Sequence, residues 1–261
     1  MKPSNTDKYQ LSSVRNAMKI LQLFKSSVNN DLGVSDISKK TALPKSTTHR
    51  LISYLTQEGF LSKNPRTGQY RLGLSLLTLG GVISVHKEIY KEAFPLVEAL
   101  VKEIEETCHI CLLENKQVVY FYKVNRENPE TLETEVGRKN PIHCTSEGLV
   151  LLAYQDKAFI EDIAREDLKQ YTGRTITNPH TLKMTLEAIK RDGYAITTEH
   201  LYEGYTGIAV PVRDYSSNVV SSLAMVGASD RLQEAKYPYY IKQLKKAASD
   251  ISEALGFYGD V

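Results

Sequence analysis

No uninterrupted apolar run in this 261-residue chain reaches the roughly 18 residues that mark a membrane span. The longest candidate, 72–85, is too short and is broken by Gly73, Gly80 and Gly81. The first ten residues are polar and hold no signal-peptide core. Cysteine is scarce: Cys108, Cys111 and Cys144 are an odd number in a mid-sized chain, which argues for reduced thiols rather than a disulfide framework. Internal repeats and low-complexity tracts are missing as well. The expectation from these absences is a cytoplasmic protein with no membrane partner.

What is present is a chain long enough, at 41% hydrophobic content, to bury one large core or two moderate ones. The net charge of +2 is uninformative, but its distribution is uneven. Residues 1–71 hold 12 Lys and Arg against 4 Asp and Glu, a balance of +8, and the remainder carries 21 against 27, or −6. A basic head on an acidic body suits a nucleic-acid-binding module joined to a separate sensing module.

The head is organised around Leu43-Pro44-Lys45-Ser46-Thr47-Thr48-His49-Arg50-Leu51-Ile52-Ser53-Tyr54-Leu55. Pro44 suits a helix start, where its missing N–H has no partner to lose. At about 100° per residue, Thr48, Leu51, Ile52 and Leu55 share one side, and Lys45, Ser46, His49, Arg50 and Ser53 share another about 140° away. Such a helix packs on a core through one face and presents cations and small hydrogen-bonding groups on the other, as a helix in a DNA major groove does. Taken alone it is equally a surface helix with a solvated basic face, so its neighbours decide. Upstream, Val14, Ala17, Met18, Leu21 and Phe24 predict a helix over 14–26, and Ser35 is expected to cap a short helix over Asp36–Thr41. Downstream, Gly59 ends the helix, and Phe60–Lys63 and Gln69–Leu72 read as strands joined by Asn64-Pro65-Arg66-Thr67-Gly68. Three helices and a β-hairpin make a winged helix-turn-helix. Its candidate DNA contacts are Lys45, Ser46, Thr47, His49, Arg50, Ser53 and, in the wing, Arg66.

Ser13-Val14-Arg15-Asn16-Ala17-Met18-Lys19-Ile20-Leu21, Leu43 to Leu51, and Gly68-Gln69-Tyr70-Arg71-Leu72-Gly73 together resemble the amino-terminal domain of IclR-family transcription regulators. The resemblance implies an α+β chain in three parts. These are a winged helix-turn-helix domain (1–72), a linker helix (73–87) that packs against a partner subunit, and an effector-binding domain (88–261) with a GAF-like antiparallel sheet and flanking helices. It further implies a repressor of double-stranded operator DNA that responds to a small organic-acid effector and assembles as a homodimer or a dimer of dimers.

The second half carries a helix around Ile89–Glu106, strands Cys108–Glu114 and Gln117–Val124 joined at Asn115-Lys116, and a third strand over Thr131–Val136. Gly137 to Pro141 reads as a loop, and Thr145 or Ser146 starts a helix through Ala153. Two charged helices follow at Phe159–Glu166 and Thr181–Asp192, then a strand at Gly193–Ile196. Ile208–Arg213 and Val219–Val226 read as central strands, and Tyr239–Leu255 as a closing helix. The lack of regular βαβ alternation implies an α+β sheet domain.

Within it, Pro141-Ile142-His143-Cys144-Thr145-Ser146-Glu147-Gly148-Leu149 resembles the family's strand-to-helix element that faces the effector. Free N–H groups at a helix start bind carboxylate or phosphate, which makes Ser146 and Glu147 candidates; a cap with no ligand is the plain alternative. The resemblance adds Thr198, Glu199, Gly207, Ala224 and Val226 as effector wall. Members that bind small organic acids tend to carry an acidic residue near Thr198, a cysteine near Gly207 and serines near Ala224 and Val226, and here those positions are smaller or apolar. The cavity is therefore expected to suit an anion with a larger apolar body.

Cys108 and Cys111 have Cys-x-x-Cys spacing, but strand residues three apart point to opposite faces, and zinc would need two further ligands where only His143 and Cys144 offer themselves. Buried structural thiols are expected, with metal or redox use as the alternative; no metal or cofactor is assigned. His143 beside Cys144 suggests a thiol hydrolase, yet no third orienting residue or oxyanion motif is evident, so no catalytic residue is assigned and enzymatic activity is not expected. Two functions stay in view: an effector-responsive transcription regulator, and a small-molecule-binding or catalytic protein whose basic head contacts RNA or protein.

Overall fold

The computed structural model describes residues 12–26, 31–79, 91, 93–129 and 134–259, in two compact units that divide after residue 87.

In the first unit α1 (Ser12–Gln22) runs into a 3-10 turn (Leu23–Ser26), followed by α2 (Val34–Thr41), α3 (Lys45–Gln57) and the antiparallel pair β1 (Leu61–Lys63) and β2 (Tyr70–Leu72). Ile20, Phe24, Ile37, Leu51, Ile52, Leu55, Leu61 and Tyr70 form its core. Helix α2 begins earlier than Ser35 would set it. Gly33 holds the cap position, and Asp36 reaches back to accept from the Gly33 N–H at 3.3 Å, which leaves Ser35 inside the helix. The α2–α3 turn is closed by Ala42, left-handed at φ 56°, and by the Ser38 hydroxyl donating to the Leu43 carbonyl at 2.7 Å. Gly73 is required where the hairpin passes the end of α3, because a Cβ there would stand 2.0 Å from the Gly59 carbonyl oxygen. Beyond it α4 (74–79) is helical and leaves Leu74, Leu77 and Leu79 exposed. The rest of the expected linker, 80–87, lies outside the described residues.

The second unit is a six-stranded antiparallel sheet in the order β5-β4-β3-β8-β7-β6. Its strands are β3 (Thr107–Glu114), β4 (Gln117–Val124), β5 (Lys139–Pro141), β6 (Ala195–Thr198), β7 (Tyr205–Arg213) and β8 (Val219–Ala228). Helices α5 (Ala93–Ile104) and α9 (Tyr237–Ala254) cover one face. The other face carries α6 (Ser146–Ala153), α7 (Lys157–Arg165) and α8 (Pro179–Asp192). Strand alternation divides β3 between the two cores: Cys108 and Ile110 pack with α5 and α9, and Cys111 packs under α6. A bulge in β4 lets Ile110 face Tyr122 and Cys111 face Tyr120, so Phe121 and Tyr122 both meet Phe94 of α5.

Strand β6 runs Ala195–Thr198 rather than Gly193–Ile196, β7 begins at Tyr205 rather than Ile208 and α7 at Lys157 rather than Phe159, and two further departures have a local cause. Thr134–Val136 is not strand, and 131–133 lie outside the described residues; the strand on that edge is Lys139–Pro141, read above as loop. Pro141 cannot donate to a ladder, but β5 pairs with β4 alone and loses nothing by it. Helix α8 starts at Pro179 rather than Thr181, because the Asn178 side chain caps the His180 and Thr181 N–H groups at 2.8 and 3.1 Å.

Candidate nucleic-acid interface and ligand cavity

Helix α3 buries Thr48, Leu51, Ile52 and Leu55. The opposite side exposes Lys45, Ser46, His49, Arg50 and Ser53, with Thr47 half-buried at the edge. The buried stripe fixes the helix to the core, so the outward side chains project from a rigid base. Ser53 donates back to the His49 carbonyl at 2.9 Å, so its hydroxyl is turned onto its own helix. Tyr54, 61% exposed, belongs to this surface too. The sequence reading assigned it to neither face of the helix, although it stands one turn beyond Arg50. Arg66 sits at the tip of the β1–β2 hairpin, where the Asn64 side chain accepts from the Arg66 N–H at 2.9 Å and donates to Asp31 at 3.0 Å. The wing tip is thereby held against the loop before α2.

In the second unit a cavity of about 50 Å³ lies where α6 begins over β7. Thr145 caps α6, accepting from the Gly148 N–H at 3.1 Å. Glu147, in the first turn, is buried and turned into the cavity rather than to solvent. The Tyr120 hydroxyl donates to its Oε1 at 2.6 Å and the Ser146 hydroxyl to its Oε2 at 3.0 Å. Asn140 of β5 donates to the Tyr120 oxygen at 3.0 Å, so β4, β5 and α6 meet in one buried chain of hydrogen bonds. Burial and the Glu147 charge hold the Tyr120 phenol well above its ordinary range. The same two causes push the Cys144 thiol up to about 12, which leaves it protonated and a poor nucleophile. His143 bonds the Lys169 carbonyl at 3.0 Å while Cys144 donates to that of Pro141, so the two do not form a hydrogen-bonded dyad.

Of the residues suggested for the effector wall, Glu147, Gly207 and Val226 line this cavity, and Ser146 stands behind Gly207. The others stand elsewhere. Thr197, not Thr198, takes the α6 side of β6, since neighbouring strand residues point to opposite faces. The Glu199 carboxylate accepts from the Gly204 N–H at 3.1 Å and pairs with Arg174 at 3.4 Å, so it braces its own loop. Ala224 lies in the core between His109 and Ala209 on the neighbouring strands. Tyr120, Thr134, Asn140, His200, Tyr202 and Tyr205 line the cavity and went unnoticed in the sequence. For Tyr120 a signal existed: the alternation that buries Val118 in β4 places it on the same face.

The description of bacterial IclR transcriptional regulators' C-terminal region matches residues 82–253, and that of the IclR helix-turn-helix domain matches 13–65. The chain is 29% identical over 248 residues to the HTH-type transcriptional regulator XynR of Escherichia coli, covering 95% of this chain and 98% of that one. It is 32% identical over 228 residues to the glycerol operon regulatory protein of Streptomyces coelicolor, with 86% and 89% covered. Among solved structures it is similar to an IclR homologue of Microbacterium hydrocarbonoxydans complexed with 4-hydroxybenzoate. The TM-score there is 0.82 at 27% identity, covering 93% of this chain and 98% of that one.

Proposed function

Because the chain belongs to the IclR family of transcription regulators, we propose that α3 enters the major groove of an operator and that a small molecule in the α6–β7 cavity modulates this binding. The observation that carries the reading is the exposed stripe Lys45, Ser46, His49 and Arg50 opposite a fully packed one on the same helix. In this reading Arg50 reaches a base edge, Lys45, Ser46 and Thr47 include phosphate contacts, and Arg66 in the wing meets the backbone. The protein acts as a repressor, in the cytoplasm. It assembles as a homodimer through α4, whose Leu74, Leu77 and Leu79 are exposed, because two-fold operators call for two-fold proteins. The 4-hydroxybenzoate held by a similar structure supports a small-molecule effector. An acid at the start of α6 in this chain would meet Glu147 already there.

A gel-shift titration with DNA from upstream of its own gene, run against random DNA of equal length at several salt concentrations, tests the reading. Preference for the upstream DNA, with affinity falling linearly in log salt, is the expected result. Equal affinity for both DNAs would reject it.

A further inference from the structure

We propose that the cavity is built for a ligand that donates hydrogen bonds to Glu147, through hydroxyl groups or an ammonium, and that carries no carboxylate of its own. The proposal rests on reading this cavity as the effector site.

Glu147 is 7% exposed, and each of its oxygens receives one protein donor, from Tyr120 and Ser146. An ionised carboxylate has about four acceptor positions, so further donors are accommodated. None of the described residues lining the cavity is Lys or Arg. His200, which does line it, is pushed below the ordinary histidine range by burial and then by Arg174, and is neutral at pH 7. Among the described residues the cavity therefore sets the buried Glu147 carboxylate in a lining without a cation, and a buried polar group is costly unless its hydrogen bonds are completed.

The start of a helix would ordinarily attract a ligand's acid group, through free N–H groups and the positive end of the dipole. Here the first turn of α6 brings its own carboxylate, Glu147, into the cavity. A ligand acid would meet a like charge in a poorly screened site. A hydroxyl or ammonium would instead complete the carboxylate's hydrogen bonds. A second, independent group points to a polar ligand in the same cavity. Thr134 lines the same cavity and is 4% exposed, and its hydroxyl has no hydrogen-bond partner among the described residues. The His200 Nδ1 is also unpartnered. Buried polar atoms of this kind are ordinarily satisfied, so both await a polar ligand.

Matched probes test this directly. The full-length protein is titrated by calorimetry and thermal shift with 4-hydroxybenzoate, 4-hydroxybenzyl alcohol and 4-hydroxybenzylamine, and with glycerate against glycerol. The expected result is that the alcohol or the amine binds about ten-fold or more tightly than its matched acid, the scale of a hydrogen bond to a charged group. Glu147→Gln should close that gap. A loss confined to the amine identifies the ammonium as the natural donor, and an equal loss for alcohols identifies hydroxyls. An acid that binds the wild type as tightly as its alcohol overturns the proposal, as does binding by no alcohol or amine. The wild-type ratios decide even if the variant fails to fold. An acid that binds and shifts affinity for the upstream DNA would defeat this proposal and leave the effector reading standing. An alcohol or amine that binds without touching DNA affinity would do the reverse.

Discussion

Arg50 and Arg66 are both exposed cations of the first unit, but their backbones are anchored differently. Arg50 projects from a helix pinned by Thr48, Leu51 and Ile52, whereas Arg66 sits on a turn held by one asparagine side chain. Arg50→Ala should therefore cost about 1–3 kcal/mol on the specific site and little on random DNA. Arg66→Ala should weaken all sequences alike and flatten the salt slope. Fluorescence anisotropy on both DNAs separates the two, and an equal loss for Arg50→Ala would make it a phosphate contact instead. Gly207 is a steric matter. A Cβ there would stand 2.7 Å from the Ser146 hydroxyl, so Gly207→Leu should fill the cavity and abolish ligand-induced thermal shifts while DNA binding by the other unit persists. Retained shifts would place the ligand elsewhere. His109 gives the molecule a pH signature. It is buried against the Tyr120 ring, and burial, with a smaller part from Lys123, lowers its imidazole to about 3. Unfolded, it returns to about 6.5, so between these values the unfolded chain binds the extra proton. The stability tied to His109 is then fully present above about pH 6.5 and is lost as pH falls toward 3, with about 2 kcal/mol gone by pH 5. Urea melts at pH 7, 6 and 5 should show a steeper decline for the wild type than for His109→Phe. Parallel declines would mean that His109 does not titrate this way.

Among the elements, α6 is the one on which the cavity depends, and one glycine decides how closely it sits. Glycine to alanine inside a helix is ordinarily favourable by roughly 0.5–1 kcal/mol. At Gly148 the sign should reverse. A Cβ would stand 2.3 Å from the Ile142 carbonyl oxygen and 2.7 Å from the capping Thr145 hydroxyl. Forcing atoms into a filled site costs about 1–3 kcal/mol, which exceeds the propensity gain. Denaturant unfolding of Gly148→Ala should show a net loss, and a gain would mean that α6 slides freely. The elements also show what the sequence made legible. Periodic apolar residues and turn chemistry located α3, the wing, β3, β4, β7, β8 and α9, because those signals are local. Strand β5 was missed because Pro141 reads as a breaker, and only its place at the sheet edge makes it acceptable. The cavity was half legible: Glu147 and Gly207 stand in the motifs that suggested them, while Tyr120 arrives through strand pairing and Thr134 from a segment outside the sheet. No window of sequence displays that kind of convergence. Nor could it show that Glu147 turns inward, since the first turn of a helix welcomes a glutamate facing either way.

At the scale of the molecule, a basic unit and an acidic one share a chain whose net charge is only +2. Assembly, as proposed, belongs to the basic unit. Leu79→Glu should lower the oligomer mass seen by analytical ultracentrifugation and weaken DNA binding with it, because a monomer engages one half-site. A variant that stayed fully assembled with unchanged affinity would move the interface away from α4. The sheet order has a different consequence. Strand β3 needs both β4, its immediate successor, and β8, so that Cys108 finds Met225 only after nearly the whole unit has been made. The first unit, by contrast, ends at residue 87. At translation speeds of about 5–20 residues per second, the interval between the two is on the order of ten seconds. Non-local strand pairing is slow to form even then. Each newly made copy thus passes through a stage in which the whole of the first unit has been synthesised while the sheet of the second cannot yet close.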